Sequence, residues 1–98
     1  YGCFIGDFAP AAYRTTAVEV AIKDHRKGER WPTHYHQSVT EINVLLHGVM
    51  KINGTYMMPG DIFVVDPGEI VTPAFVRRCE VIVVKIPGIR GDKVITCT

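Results

Sequence analysis

Short runs of apolar residues, separated at close intervals by Gly and Pro, make up the hydrophobic pattern of this chain. The runs are rich in β-branched and aromatic residues, and no long segment follows the 3.6-residue period of a helix. Regularly spaced short strands with turn signals between them indicate an all-β barrel or sandwich. The predicted strands are Ala17–Lys23, Thr33–His36, Glu41–Leu46, Val49–Ile52, Tyr56–Met57, Ile62–Val65 and Val81–Ile86.

Turn residues divide these strands at several points. Asn53-Gly54 lies between two apolar runs and is the strongest hairpin signal, because both residues tolerate the positive φ of a type I′ turn. Further turns are predicted at Pro59-Gly60-Asp61, Asp66-Pro67-Gly68 and Pro87-Gly88.

The predicted strand Ile62–Val65 and the run Val81–Val84 within the predicted strand Val81–Ile86 have no polar side. A strand that is apolar on both faces needs cover outside the barrel as well as inside it. The N-terminal segment 1–16, with its two phenylalanines, is one candidate for this cover. A second subunit is the other, and a homodimer is the expected state.

Length and charge narrow the classes of function. The 98 residues suit one domain, spanning 1–98. A formal charge of +1 without a basic run argues against nucleic acid as a partner, and no apolar stretch is long enough for a bilayer-spanning helix. Cys3, Cys79 and Cys97 form an odd, irregularly spaced set, which favours a reducing compartment, and a cytoplasmic location is the default expectation.

His34-Tyr35-His36 is the first feature that indicates chemistry. In an extended segment the two imidazoles share a face, close enough to converge on one metal ion. Glu41 is the natural third ligand if residues 37–40 form a turn and Glu41 begins an antiparallel neighbour of the histidine strand. Two His and one carboxylate suit a divalent metal such as Fe, Mn, Ni or Zn. Spacing alone does not distinguish such ligands from ordinary core or surface histidines.

The spacing of Gly28, His34, His36, Glu41 and Gly48 resembles the first motif of the cupin superfamily. The segment from Gly60-Asp61 to Asp66-Pro67-Gly68 is similar to the second cupin motif, with one additional residue between its Gly and Pro. The resemblance implies a cupin-type antiparallel β-barrel, also called a double-stranded β-helix or jelly roll. It also implies that the ligands lie on the inner wall.

The second motif departs from the cupin pattern at one position. Val71 stands where cupins usually supply a third histidine, and valine cannot bind a metal. Asn43, which shares the face of Glu41, is expected to line a substrate cavity together with Val71 and with Tyr56 or its neighbour Met57.

The first functional hypothesis is a metal-dependent dioxygenase, isomerase or lyase acting on a small polar molecule. The alternative is a non-catalytic cupin that binds a sugar-like small molecule with a degenerate or empty metal site.

Overall fold

The computed structural model describes residues 2–96, and within that range every regular element is a β-strand. The strands are β1 (Cys3–Gly6), β2 (Tyr13–Arg14), β3 (Glu19–His25), β4 (His34–His36), β5 (Thr40–His47), β6 (Met50–Ile52), β7 (Thr55–Met57), β8 (Ile62–Val65), β9 (Pro73–Phe75), β10 (Cys79–Ile86) and β11 (Lys93–Ile95). The all-β prediction is therefore confirmed.

The strands form two layers around a common interior. A six-stranded sheet, in the order β2-β1-β3-β10-β5-β8, makes the larger layer. The second layer consists of the pair β11-β4 and the triplet β7-β6-β9, which isolated bridges join at His34–Val71 and at Arg30–Ala74. Pairing is antiparallel throughout these residues except for the short contact between β1 and β2. Residues of both layers line one cavity, as expected of a jelly roll.

The seven predicted strands are all present with small shifts at their ends. The Asn53-Gly54 hairpin is confirmed, because β6 and β7 pair across it and the φ angles of Asn53 and Gly54 are 50° and 84°. The sequence pattern did not indicate β1, β2, β9 or β11. Each of these has four residues or fewer, which is too short to show an alternating period.

The structure also bears on the expectations for the N-terminal segment, the cysteines and a membrane-spanning helix. The N-terminal segment contributes β1 and β2 to one edge of the large sheet and so extends the sheet. Cys3 and Cys79 are free thiols, while Cys97 lies outside the described residues. No helix in the described part of the chain is long and apolar enough to cross a membrane.

The interior is filled by residues at alternate positions of the central strands. Its apolar cluster consists of Leu45, Met50, Phe75, Cys79, Val81 and Val83. Gly48, between β5 and β6, has a φ of 96°, and a Cβ at this position would lie 2.2 Å from the carbonyl oxygen of Arg78. Only glycine suits such a position, which explains the glycine at the end of the first motif.

Candidate metal and ligand site

A cavity of about 120 Å³ lies inside the barrel between the two layers. Most of its wall is apolar and includes Met50, Ile52, Phe63, Val65, Val71, Phe75, Val81 and Val83. A few polar groups interrupt this wall, which is the usual composition of a site for a small organic ligand. The polar wall residues include His34, Glu41 and Asn43.

β4 places both histidines of the first motif on the buried side of the strand. His34 is 6% exposed and His36 is 2% exposed, with their ring centroids 5.6 Å apart and their planes nearly perpendicular. His34 Nδ1 lies 2.8 Å from the carbonyl oxygen of Pro32. Because a carbonyl only accepts, Nδ1 carries the proton, and Nε2 is left with its lone pair when the ring is neutral.

Burial favours the neutral form of His34. Desolvation lowers the pKa of His34 below its usual 6.5, and the nearby Lys93 charge acts in the same direction. A neutral imidazole whose other nitrogen donates to a backbone carbonyl is the form that metal-binding histidines adopt.

His36 and Glu41 come together in the interior. Nε2 of His36 lies 3.1 Å from Oε2 of Glu41, but the two groups are not aligned for a hydrogen bond. This Nε2 is the one buried side-chain nitrogen or oxygen without a hydrogen-bond partner among the described residues. Such an orphaned atom is costly inside a protein, so it indicates a missing partner.

Glu41 is held in its ionised form. Burial by itself raises the pKa of this carboxyl, but the adjacent His36 ring, a hydrogen bond from Asn43 and the Lys85 charge outweigh it. The net result is a pKa below the usual 4.5. Nδ2 of Asn43 donates to Oε1 of Glu41 at 3.1 Å, which orients the carboxylate while Oε2 faces His36.

The predicted pairing of the histidine strand with the Glu41 strand is wrong. β4 pairs with β11, whereas β5 pairs with β10 and β8. His36 and Glu41 meet because side chains from opposite layers project into one interior. Among residues 2–96, no three His, Cys, Asp or Glu side chains are already grouped so that they could hold a metal ion.

Val71 occupies the wall directly beside His34. The two residues exchange both backbone hydrogen bonds, with N–O distances of 3.0 and 2.8 Å, and the Val71 side chain is 5% exposed and lines the cavity. A histidine in its place would therefore stand next to His34. The valine leaves this part of the wall apolar.

The two other residues expected to bind substrate have different positions. Asn43 is buried and lines the cavity. Tyr56 is 59% exposed, lies outside the cavity and packs under the Lys51 ammonium group. Met57 takes the inward position and packs against the core, so the expectation of a tyrosine in the cavity wall is corrected. The alternation of the β7 strand decides this, because Tyr56 and Met57 point to opposite faces.

Sequence reasoning missed four basic or titratable residues of the cavity wall. Lys23, Lys85 and Lys93 reach it from β3, β10 and β11. His25, which lies two residues beyond the predicted strand Ala17–Lys23, is the last residue of β3 and is buried. Strand alternation carried a usable signal, since Lys85 follows the inward Val81 and Val83 at every second position.

His25 belongs to a compact cluster at the wall. Its Nδ1 donates to Glu29 at 2.6 Å, and its ring stacks on Phe75 with centroids 4.1 Å apart. The indole N–H of Trp31 donates to the same Glu29 oxygen. These hydrogen bonds, first that from Trp31 and then that from His25, lower the pKa of Glu29 below 4.5. The cluster fixes the segment that leads into β4.

No family model matches this sequence, and no curated protein matches it. Solved structures do resemble it in fold. An uncharacterized conserved protein with a double-stranded β-helix domain from Klebsiella pneumoniae is 19% identical, with a TM-score of 0.75 over 86% of this chain and 74% of that one. The DMSP lyase DddQ from Ruegeria pomeroyi is 19% identical, with a TM-score of 0.78 over 96% of this chain and 49% of that one.

A protein of unknown function with a cupin-like fold from Ralstonia eutropha is 15% identical, with a TM-score of 0.67 over 86% of this chain and 52% of that one. The chain thus spans about half the length of the lyase and of the Ralstonia protein. The sequence resemblance is confirmed at the level of fold: this chain has the cupin fold, a double-stranded β-helix.

Proposed function

We propose that this chain is a metal-dependent cupin in which His34, His36 and Glu41 bind a divalent ion and the adjoining cavity receives a small polar molecule. The buried, unpartnered Nε2 of His36, 3.1 Å from a carboxylate oxygen, is the observation that carries the proposal. A neutral imidazole nitrogen and a carboxylate oxygen can each supply a lone pair, so these two neighbouring atoms can bind one metal ion together.

The surroundings of the three residues support this proposal. The Pro32 carbonyl sets the tautomer of His34, and Asn43 orients Glu41. A carbonyl that accepts from one imidazole nitrogen orients the ring and increases the basicity of its other nitrogen, whereas the Asn43 amide only orients the carboxylate. The three side chains are not grouped closely enough to form a ready-made site, so ion binding requires them to adjust.

A bound divalent ion would supply Lewis-acid activation of a substrate oxygen, or oxygen chemistry if the ion is iron. The protein's own contribution is the apolar wall, which excludes water, and the polar groups that orient a ligand. The DMSP lyase of similar fold is an enzyme, and an enzymatic role for this chain is part of the proposal.

Metal analysis tests the proposal. Protein purified without chelator and reconstituted separately with Fe²⁺, Mn²⁺, Ni²⁺ or Zn²⁺ should retain at least one of these near stoichiometrically after gel filtration. His36→Ala should lose the metal. His47→Ala is the matched control, because His47 is an exposed histidine at the end of β5. No retention by the wild type, or equal retention by His36→Ala, would refute the proposal.

The second candidate function is a non-catalytic small-molecule-binding cupin. The observation that favours it is Val71, whose buried apolar side chain replaces a potential ligand beside His34. This candidate predicts that a small molecule raises the thermal stability of the protein equally with and without EDTA. Loss of the stabilisation in EDTA would count against it.

We also propose that a second copy of the chain covers the outer face of the large sheet. Two cross-strand rows of apolar side chains cross this face on β8, β5, β10 and β3. They are Ile62, Val44, Ile82 and Ile22, and Val64, Ile42, Val84 and Val20. Ile62 and Val64 are 65% and 50% exposed. An uncharged strip four strands wide suits a self-complementary dimer.

Sedimentation equilibrium tests the assembly. The wild type should be a dimer at micromolar concentration, and Ile82→Asp, at the centre of the strip, should be a folded monomer. Thr55→Asp, an exposed position on β7 in the other layer, is the control. A wild type that is monomeric at this concentration would contradict the assembly without affecting the metal site.

A further inference from the structure

We infer that Lys23, Lys85 and Lys93 form an anion-binding subsite that selects a small carboxylate-bearing ligand. The inference rests on the proposed small-molecule function, but it does not require a metal. It names the chemical class of the ligand, which neither the fold nor the first motif indicates.

The three lysines reach the same cavity from three different strands. Lys85 lies directly opposite Glu41 in the pairing of β10 with β5, and Lys93 lies directly opposite His36 in the pairing of β11 with β4. Two of the lysines are therefore register neighbours of the candidate metal ligands. Lys23 is on β3, which pairs with the other edge of β10.

The charges of these lysines are only partly compensated: the Glu41 carboxylate acts on Lys85 and Lys93, and Glu19 lies directly opposite Lys85 in the pairing of β10 with β3. Within residues 2–96, none of the three forms an ion pair with a carboxylate. Nζ of Lys93 lies 4.4 Å from the ring centroid of Trp31, and Nζ of Lys23 has a weak contact with the Cys3 thiol at 3.9 Å. Burial, followed by the charge of Lys85, lowers the pKa of Lys93 below its usual 10.5. Unpaired, partly buried ammonium groups destabilise a fold, so a ligand that neutralises them binds with a corresponding gain.

The rest of the wall defines the remainder of the ligand. Three lysines oppose one lining carboxylate, Glu41, which leaves an excess of positive charge. Away from the lysines the wall is apolar, with Met50, Phe63 and Phe75. A cavity of about 120 Å³ admits only a small molecule. An organic acid with a short apolar body matches both the charge and the apolar surface, whereas inorganic phosphate matches the charge alone.

Isothermal titration calorimetry on chelator-treated protein tests the inference apart from the metal. The probes are propionate, succinate and benzoate, their neutral amides, and inorganic phosphate. At least one acid should bind at least about tenfold more tightly than its amide, since an ammonium–carboxylate contact is a charge-assisted hydrogen bond. Lys85→Gln and Lys93→Gln should each weaken binding of that acid about tenfold and leave the amide unaffected.

Two further variants complete the test. Lys85→Arg keeps the charge and should retain binding, which separates a lost charge from a damaged fold. Lys51→Gln is the control, because Lys51 packs on Tyr56 outside the cavity. The inference is overturned if no acid outbinds its amide, if Lys85→Gln and Lys93→Gln bind like the wild type, or if phosphate binds as tightly as the best acid. Acid binding by the chelator-treated protein would support the subsite whether or not metal retention bears out the metal proposal.

Discussion

Replacing Val71 with histidine is the most informative single change in this barrel. Val71 and His34 form a hydrogen-bonded antiparallel pair, so their side chains leave the inner wall next to each other. Cβ atoms in such pairs are about 4.5–5.5 Å apart, a spacing from which two imidazoles can reach one ion. Val71→His should therefore add a nitrogen donor to the set of His34, His36 and Glu41.

The expected magnitudes have opposite signs without and with metal. Loss of a buried valine costs about 1.5 kcal/mol, and a buried imidazole without a partner costs about 1–3 kcal/mol. Metal-free Val71→His should therefore be about 2.5–4.5 kcal/mol less stable than the wild type. Because outer-shell partners alone change metal affinity about 10–100-fold, an added ligand should tighten binding at least about tenfold, or about 1.4 kcal/mol.

Thermal unfolding with EDTA or with excess Zn²⁺ measures the stability, and competition with a chromophoric chelator measures the affinity. Val71→Ala is the control, since it loses packing and adds no ligand. The double variant with His34→Ala should lose most of the gain in affinity. If Val71→His binds zinc no more tightly than Val71→Ala does, residue 71 does not face the metal site and the reasoning is refuted.

Other variants probe the core, the cavity charge and the turn before Glu41. Leu45→Ala, at a fully buried position, should lower the free energy of unfolding in urea by about 3–5 kcal/mol. Lys93→Met removes an unpaired, half-buried cation and should raise the melting temperature; a decrease would contradict the desolvation argument. Asp92→Ala removes the acceptor of the Ser38 and Val39 backbone N–H groups and should cost about 1 kcal/mol at pH 7. The hydrogen bond from the Ser38 N–H, followed by that from Val39, holds the pKa of Asp92 below 3.8. The stabilisation is therefore lost as the pH falls through the folded pKa, and the free energies of unfolding of the wild type and Asp92→Ala, measured in urea, should become equal in acid.

The candidate metal ligands show which features of the site can be predicted from the local sequence pattern and which cannot. His34 and His36 share a buried side because a strand repeats every two residues, a rule that can be read from the sequence. The approach of Glu41 to His36 depends on how the two layers face each other. The predicted route, through pairing of β4 with β5, was wrong because β11 supplies the partner of β4 from more than fifty residues away.

The lysines of the cavity wall are residues of the site that the sequence pattern did not indicate. A charged residue near the end of an apolar strand is usually solvated, so Lys23 and Lys85 did not stand out, and Lys93 begins a strand that the sequence pattern did not indicate. Alternation along β10 places Lys85 on the inner face, but only the packing of the two layers makes that face a cavity wall. Tyr56 is the converse case, an aromatic residue that alternation turns outward.

By itself, the sequence determined what short-range physics decides: seven of the eleven described strands, the Asn53-Gly54 hairpin and the shared face of the two histidines. The alternation of side chains along a strand and the φ preferences of Asn and Gly act within a few positions, so they can be recognised in the sequence alone. Tertiary structure alone decided which strands pair, that His36 Nε2 lacks a partner, and that three lysines share a cavity with Glu41. Those features arise from contacts between distant segments, which depend on the packing of both layers together.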